Sequence, residues 1–268
     1  MTQKDYKLYN GNIITYPCLG TWQIDNEIVV DAVKTALELG YRHIDSARAY
    51  QNEEGVGRAI KESNVKREEL YITTKVPAEV KSYEEAKFCI SESLKKLGTY
   101  IDLILIHAPR PWKEMWDPNA SRYFKENLEV WKALVEAYQE GSVKAIGVSN
   151  FQIDDIENII NNSDTLPMVN QICIHIGNYP KELIEYCQKK NILVEAYSPN
   201  ATGRLQNNEK VREMAEKYQV SVAQLGIRFD FQLDTLPLPK STHREYMIQN
   251  MNIDFEISDE DMEYLKSL

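Results

Sequence analysis

The chain has 268 residues, 43% of them apolar and 27% charged, which excludes disordered and fibrous classes and leaves enough material for a sizeable core. Its 31 Lys and Arg against 41 Asp and Glu give a net charge of −10, a balance that disfavours nucleic-acid and anionic-membrane partners.

In chain order, Tyr6 to Tyr16, with Asn10-Gly11 between short β-prone stretches, predicts a hairpin. Val29, Ala32, Val33 and Ala36 fall at helical spacing, closed by Gly40, and Tyr41 to Ile44 follows as a short strand. Leu70 to Thr74 is a strand rich in β-branched and aromatic residues. Ser82 and Glu85 have capping-box spacing ahead of a helix carrying Ala86, Ile90, Leu94 and Leu97. Ile101 to Ile106 is nearly all apolar, as in a parallel strand buried on both faces. Trp131, Leu134, Val135 and Tyr138 form the next helix, stopped by Gly141. Further strands are expected at Ala145 to Val148, Met168 to Ile172, Ile192 to Ala196 and Leu236 to Leu238. A last helix of about eight residues is expected to begin near Ser258-Asp259-Glu260.

This βαβα alternation shows no linker, so one domain over residues 1–268 is expected, of α/β class with a parallel sheet. An open nucleotide-binding sheet should carry G-x-G-x-x-G after an early strand; only Gly55-Val56-Gly57 approaches it, and the third glycine is missing. About eight βα units at this length favour a (β/α)8 TIM barrel with an N-terminal β-hairpin and extra helices. The cysteines Cys18, Cys89, Cys173 and Cys187 form no C-x-x-C pair, the N-terminus MTQKDYKLYNG lacks the apolar run of a signal peptide, and no run reaches the ~20 residues of a membrane span. A cytoplasmic setting is expected.

In such a barrel the active site lies at the C-terminal strand ends. Trp22, Asp45, Lys75, His107, Ser149-Asn150, Gln171, Tyr197-Ser198 and Lys240-Ser241 follow the eight strands in turn. Any one of them has a plain structural reading: a lysine reaching solvent, a hydrogen-bonded core histidine, an aspartate capping a loop. Their coincidence on one rim points to a site. Asp45 and Lys75, on neighbouring buried strands, need each other as partners. Tyr50 lies five residues beyond Asp45, and a cation beside a phenol is expected to lower its pKa from about 10 and make it a better acid. With His107 orienting a carbonyl, the set fits protonation of an oxygen as negative charge develops on it. No side chain delivers a hydride, so carbonyl reduction requires a cofactor.

The stretches GYRHIDSARAYQNEEGVGRAI, LYITTKV, IDLILIHAP, AIGVSNF, VNQICIH, VEAYSP and LPLPKSTHREYMIQN run in order from Gly40 to Asn250 and resemble the aldo-keto reductase family. The resemblance implies a tetrad of Tyr50 as proton donor, Asp45 and Lys75 as the pair that tunes it, and His107 as the orienting group. It implies that Ser149, Asn150 and Gln171 bind a nicotinamide carboxamide, that Tyr197 stacks on the ring, and that Ser198 belongs to a loop embracing the pyrophosphate. Lys240 and Ser241 match a 2′-phosphate site and Asn250 an adenine contact. NADP(H) is favoured, with NAD(H) as the alternative. Trp22, Trp112 and Trp116 are expected at the mouth of a pocket for a small carbonyl substrate, in a chain that acts as a monomer.

Three positions depart from the family pattern. Ala108 stands where Trp is usual, Asn200 follows Ser198-Pro199 where Leu is common, and Tyr246 replaces an Arg four residues before Asn250. Arg244 is the nearby cation that remains. Three other readings stay open on the sequence: a metal site at His43-x-Asp45, although no metal is expected, a Schiff-base lyase using Lys75, and a cofactor-binding regulatory subunit with little turnover.

Overall fold

The computed structural model describes residues 1–268. Strands β1 (Lys4–Lys7) and β2 (Ile13–Tyr16) pair antiparallel, with Lys4 opposite Tyr16 and Lys7 opposite Ile13. Gly11 takes a positive φ of 91° in the turn, and Asn10 Oδ1 accepts from Asn12 N at 3.0 Å. The hairpin buries Tyr6 and Tyr16, and the Tyr6 hydroxyl donates to Thr235 O at 2.8 Å.

The barrel strands are β3 (Cys18–Gly20), β4 (His43–Asp45), β5 (Tyr71–Val76), β6 (Leu103–Ile106), β7 (Ile146–Ser149), β8 (Val169–Cys173), β9 (Leu193–Tyr197) and β10 (Leu236–Leu238). All eight are parallel and adjacent in sequence order. The ring closes where Gly20 bridges Lys240, its N–H donating to Pro239 O at 2.9 Å. This is the (β/α)8 barrel with its N-terminal hairpin. The helices between the strands are α1 (Asn26–Glu38), α2 (Glu53–Glu62), α3 (Tyr83–Leu97), α4 (Phe124–Gln139), α5 (Ile153–Asn162), α6 (Lys181–Lys189) and the pair α7 (Glu209–Lys217) and α8 (Val222–Gln232). After β10 come α9 (Arg244–Met251) and α10 (Asp259–Lys266). None is long and apolar enough to cross a membrane.

The apolar runs predict strands shifted toward the N-terminus. Tyr41, Ala145, Met168 and Ile192 are buried but stand outside the ladder, while Asp45, Ser149, Cys173 and Tyr197 belong to it. Apolarity reports burial, whereas a ladder is set by backbone pairing and continues into the polar rim. Gly55 and Gly57 lie within α2. A Cβ on Gly55 would come within 2.2 Å of Asn26 O and one on Gly57 within 2.6 Å of Leu97 O. These glycines let three helices pack closely and form no phosphate loop. The expected capping box at α3 is half formed: Ser82 Oγ accepts from Glu85 N, but the Glu85 carboxylate takes the Ser82 hydroxyl at 2.8 Å. A complete box stands before α8, between Ser221 and Gln224.

Candidate active site

Hydrogen-bonded neighbours β4 and β5 bring Asp45 and Lys75 together at the barrel mouth, both buried. Lys75 Nζ donates to Asp45 Oδ1 at 2.7 Å, to Oδ2 at 2.8 Å and to the Ser46 carbonyl at 2.8 Å. Burial opposes the ammonium, but Asp45, Tyr50 and Glu195 outweigh it and raise the lysine pKa. A lysine so clamped stays charged and is not a nucleophile, which disfavours a Schiff-base reading.

Tyr50 closes a short helical turn, Arg48–Tyr50, just beyond β4. Its hydroxyl lies 3.5 Å from Lys75 Nζ. Burial raises the phenol above its ordinary pKa and exceeds the lowering effect of Lys75, so the net shift is upward. The downward shift expected from the cation alone is therefore not what the site produces. The proton stays on Tyr50 at neutral pH, and the ammonium acts by stabilising phenolate charge as it develops. Asn52, fully buried two residues on, donates to Thr21 O and Ile24 O, both at 2.9 Å, and accepts from Ser46 Oγ at 2.8 Å. It ties the loops after β3 and β4 together, a support not singled out in the sequence.

His107 ends β6. Its ring meets Tyr50 edge-on at 5.5 Å and Trp112 at 5.2 Å. Burial, with Lys75 adding, lowers its pKa to about 3, so the imidazole is neutral. Nδ1 is buried without a partner. An orphan N–H there is costlier than a bare lone pair, which assigns the proton to Nε2. Asn150, at the end of β7 with φ 60°, sends its side-chain N–H to the His107 carbonyl at 3.1 Å, and its Oδ1 accepts the Tyr197 phenol at 2.8 Å. Behind His107, Lys81 and Asn127 hold the carbonyls of Ala108 and Pro109 at 3.3 and 2.9 Å.

Ser149 and Gln171 are paired across β7 and β8, and Ser149 Oγ donates to the Gln171 carbonyl at 2.8 Å. The Gln171 amide nitrogen donates to Asp45 Oδ1 and to Glu195 Oε2, each at 2.8 Å. Two carboxyl neighbours fix the amide orientation and leave Gln171 Oε1 without an intrachain partner. An unpaired acceptor beside the tetrad, with a tyrosine ring nearby, fits the amide hydrogens and flat ring of a nicotinamide. Glu195 was missed by sequence reasoning. Its signal was a charged residue inside the buried run of V-E-A-Y.

Ser198 turns the chain after β9 at φ 57°. Asn200, at the departure from the family pattern, has its buried Oδ1 unpaired and would be 2.8 Å from a Cβ on Gly226 of α8. Lys240 is exposed at the closure of the ring, while Ser241 is buried, its Oγ donating to His243 O at 3.2 Å and accepting His243 N at 3.0 Å. Asn250 is buried in α9, its carbonyl accepting the Tyr16 hydroxyl. Arg244 pairs with Glu38 of α1 at 2.9 Å, and Tyr246 stacks edge-on against His243 at 5.4 Å. Trp22 is partly exposed at the mouth. Trp116 is 80% exposed and makes no ring contact with the tetrad, unlike Trp112. His43 faces inward, its Nε2 3.0 Å from Thr73 Oγ1, and no group of three acidic, His or Cys side chains is placed to hold a metal.

Residues 18–268 match the profile of the Aldo/keto reductase family. A glyoxal reductase of Bacillus subtilis (strain 168) is 41% identical over 265 residues, covering 98% of this chain and 91% of the relative. A methylglyoxal reductase of Escherichia coli (strain K12) is 36% identical over 260 residues, covering 96% and 90%. The crystal structure of a Bombyx mori aldo-keto reductase in complex with NADP superimposes with a TM-score of 0.86 at 34% identity, covering 98% of this chain and 92% of that one.

Proposed function

Because the chain belongs to the aldo/keto reductase family, and is thereby an oxidoreductase, we propose that it reduces small aldehydes and ketones to alcohols with NADPH, Tyr50 acting as the general acid. The observation that carries this reading is the Tyr50 hydroxyl held 3.5 Å from a lysine that Asp45 keeps charged. The relatives' names, glyoxal and methylglyoxal reductase, favour small dicarbonyl aldehydes as the first substrates to try.

The nicotinamide cofactor supplies the hydride when bound. The residues of this chain do the rest. His107 Nε2–H and the Tyr50 hydroxyl donate to the carbonyl oxygen and fix its position. Tyr50 gives up its proton as the oxygen becomes negative, and Lys75 stabilises the phenolate left behind. Asp45 keeps Lys75 in place and is not required to move a proton. In this reading Gln171 Oε1, Ser149 and Asn150 hold the carboxamide, Tyr197 stacks on the ring and Ser198 borders the pyrophosphate. Ser241 and Asn250 belong to the adenosine end, with Lys240 as its cation, while Arg244 is paired with Glu38 of α1. The four free thiols, three of them buried, support a reducing compartment such as the cytoplasm.

The test is a panel of small carbonyls, including glyoxal, methylglyoxal and simple aldehydes, scored by loss of NADPH absorbance. Turnover with formation of the alcohol is expected. NADPH binding without turnover of any carbonyl would favour a cofactor-binding regulatory role.

A further inference from the structure

Beneath the tetrad the barrel axis is polar. His43 and Asp45 face inward from β4, Tyr71, Thr73 and Lys75 from β5, Gln171 from β8 and Glu195 from β9. Buried Cys18 on β3 carries the neighbouring thiol. Glu195 is fully buried and pairs in register with Gln171 on one side and apolar Leu236 on the other. One of its oxygens accepts from the Gln171 amide at 2.8 Å. The other has no hydrogen bond and stands 4.0 Å from His43 Nε2. The same amide nitrogen reaches Asp45 Oδ1 at 2.8 Å. Both hydrogens of one amide thus connect Glu195 to the aspartate that clamps Lys75.

We infer that Glu195 is a positioning residue for carbonyl reduction: it locks the Gln171 amide so that its nitrogen supports Asp45 and its oxygen is presented to the cofactor. This inference rests on the reductase reading above. Three features support it. An amide held at one hydrogen only, by Asp45, can pivot about that single bond, and its carbonyl oxygen then has no fixed direction. The acceptor offered to an amide ligand would be lost in the same motion. A buried carboxyl also costs free energy, so an apolar residue facing Leu236 would serve the barrel better if packing alone were at stake.

The charge state agrees with that role. The groups facing Glu195 hold one positive charge on Lys75 and one negative charge on Asp45, and His43 is kept neutral by burial, its pKa about 3. Burial and then Asp45 raise the Glu195 pKa to about 8. Below that pH the column is neutral overall. Above it a second carboxylate faces Asp45 with no second cation, which opposes phenolate formation on Tyr50 and weakens the acid. Tyr50 and Lys75 both lie above their own ordinary values, 10.0 and 10.5, so a fall in rate near pH 8 points to neither.

The experiment compares wild type, Glu195→Leu and Glu195→Gln. It reads the NADPH dissociation constant by tryptophan fluorescence, kcat and KM for methylglyoxal, and the kcat/KM profile from pH 6 to 10. Leucine removes the acceptor at similar volume; NADPH should bind about 10-fold more weakly and kcat should fall at least as far. Glutamine keeps an acceptor oxygen and cannot ionise. It should return binding and kcat to within about threefold of wild type and abolish the decline near pH 8. Leucine within about threefold of wild type in both binding and kcat would overturn the inference. If Glu195→Leu does not fold, the profiles decide: loss of the alkaline limb in Glu195→Gln supports the role, and superimposed profiles overturn it. Wild type that binds NADPH but reduces nothing would sink the reductase reading, and the binding comparison would still judge Glu195.

Discussion

Lys75 Nζ stands 3.5 Å from the Tyr50 hydroxyl, while its three shorter contacts, at 2.7 to 2.8 Å, go to both Asp45 oxygens and the Ser46 carbonyl. The ammonium is therefore a fixed electrostatic partner of Tyr50 and not a freely rotating donor. Tyr50→Phe should leave NADPH affinity nearly unchanged, because the hydroxyl acts on developing charge. It should lower kcat by about 100- to 10,000-fold, the usual contribution of general acid catalysis. A variant that keeps more than about a tenth of wild-type kcat with chemistry rate-limiting removes Tyr50 from the acid role.

Lys75→Met keeps the stem volume and removes the charge. Asp45 is then buried with only Gln171 and no cation, so a loss of about 3 kcal/mol of stability is expected. The phenol, already raised by burial, loses the interaction that lowers it, and kcat should fall by about 100-fold or more. Circular dichroism establishes folding and single-turnover kinetics the chemical step. A folded variant with unaltered rate and pH profile is incompatible with the pairing.

The neutral state of His107 has a pH consequence. Its pKa, about 3, lies well below the ordinary 6.5, so it does not titrate between pH 5 and 8. With cofactor and substrate saturating, kcat should be flat from about pH 5.5 to 7, where an ordinary histidine donor would switch. A sigmoidal kcat centred near 6.5, lost in His107→Asn, would show that the imidazole cycles through its charged form.

Cofactor preference turns on α9. Tyr246 and Asn250 are four residues apart on one helix face, whereas Arg244 is turned toward Glu38. Tyr246→Arg should add a charge-assisted bond to a 2′-phosphate, tightening NADPH about 10- to 150-fold and changing NADH little. Dissociation constants of both cofactors, measured at one salt concentration, check this. Equal tightening of both would mean that position 246 does not face the phosphate.

Asp230 in α8 is fully buried, and both of its carboxylate oxygens lack partners. Burial raises its pKa well above the ordinary 3.8. For an acid raised on folding, stability is full below the unfolded value and is lost as pH rises toward the folded one. Asp230→Asn cannot ionise. It should match wild type near pH 4 and exceed it at pH 8 by at least about 1 kcal/mol, or roughly 2–4 °C in melting temperature. Melting curves at the two pH values test the sign; an asparagine variant less stable than wild type at pH 8 would indicate a partner for the carboxylate.

The alternation of strands and helices and the polar rim follow from the order of the amino acids alone. Alternating apolar runs and helical spacings are local consequences of burial, and strand-end polar residues stand out against apolar neighbours. Asp45, Lys75, His107, Ser149, Gln171 and Tyr197 were legible for that reason. Features that depend on distance and on summed environments emerge only in the folded chain. It decided that Gly55 and Gly57 serve helix packing, that Arg244 turns to Glu38, and that Trp112 meets His107 while Trp116 faces solvent. It reversed the direction of the Tyr50 shift, because desolvation depends on every atom packed around the phenol and one cation in the sequence says nothing about that sum. Glu195 illustrates the same limit. A single charge in a buried run marks a cost, and only closure of the barrel places Gln171 and Asp45 where that cost has a use.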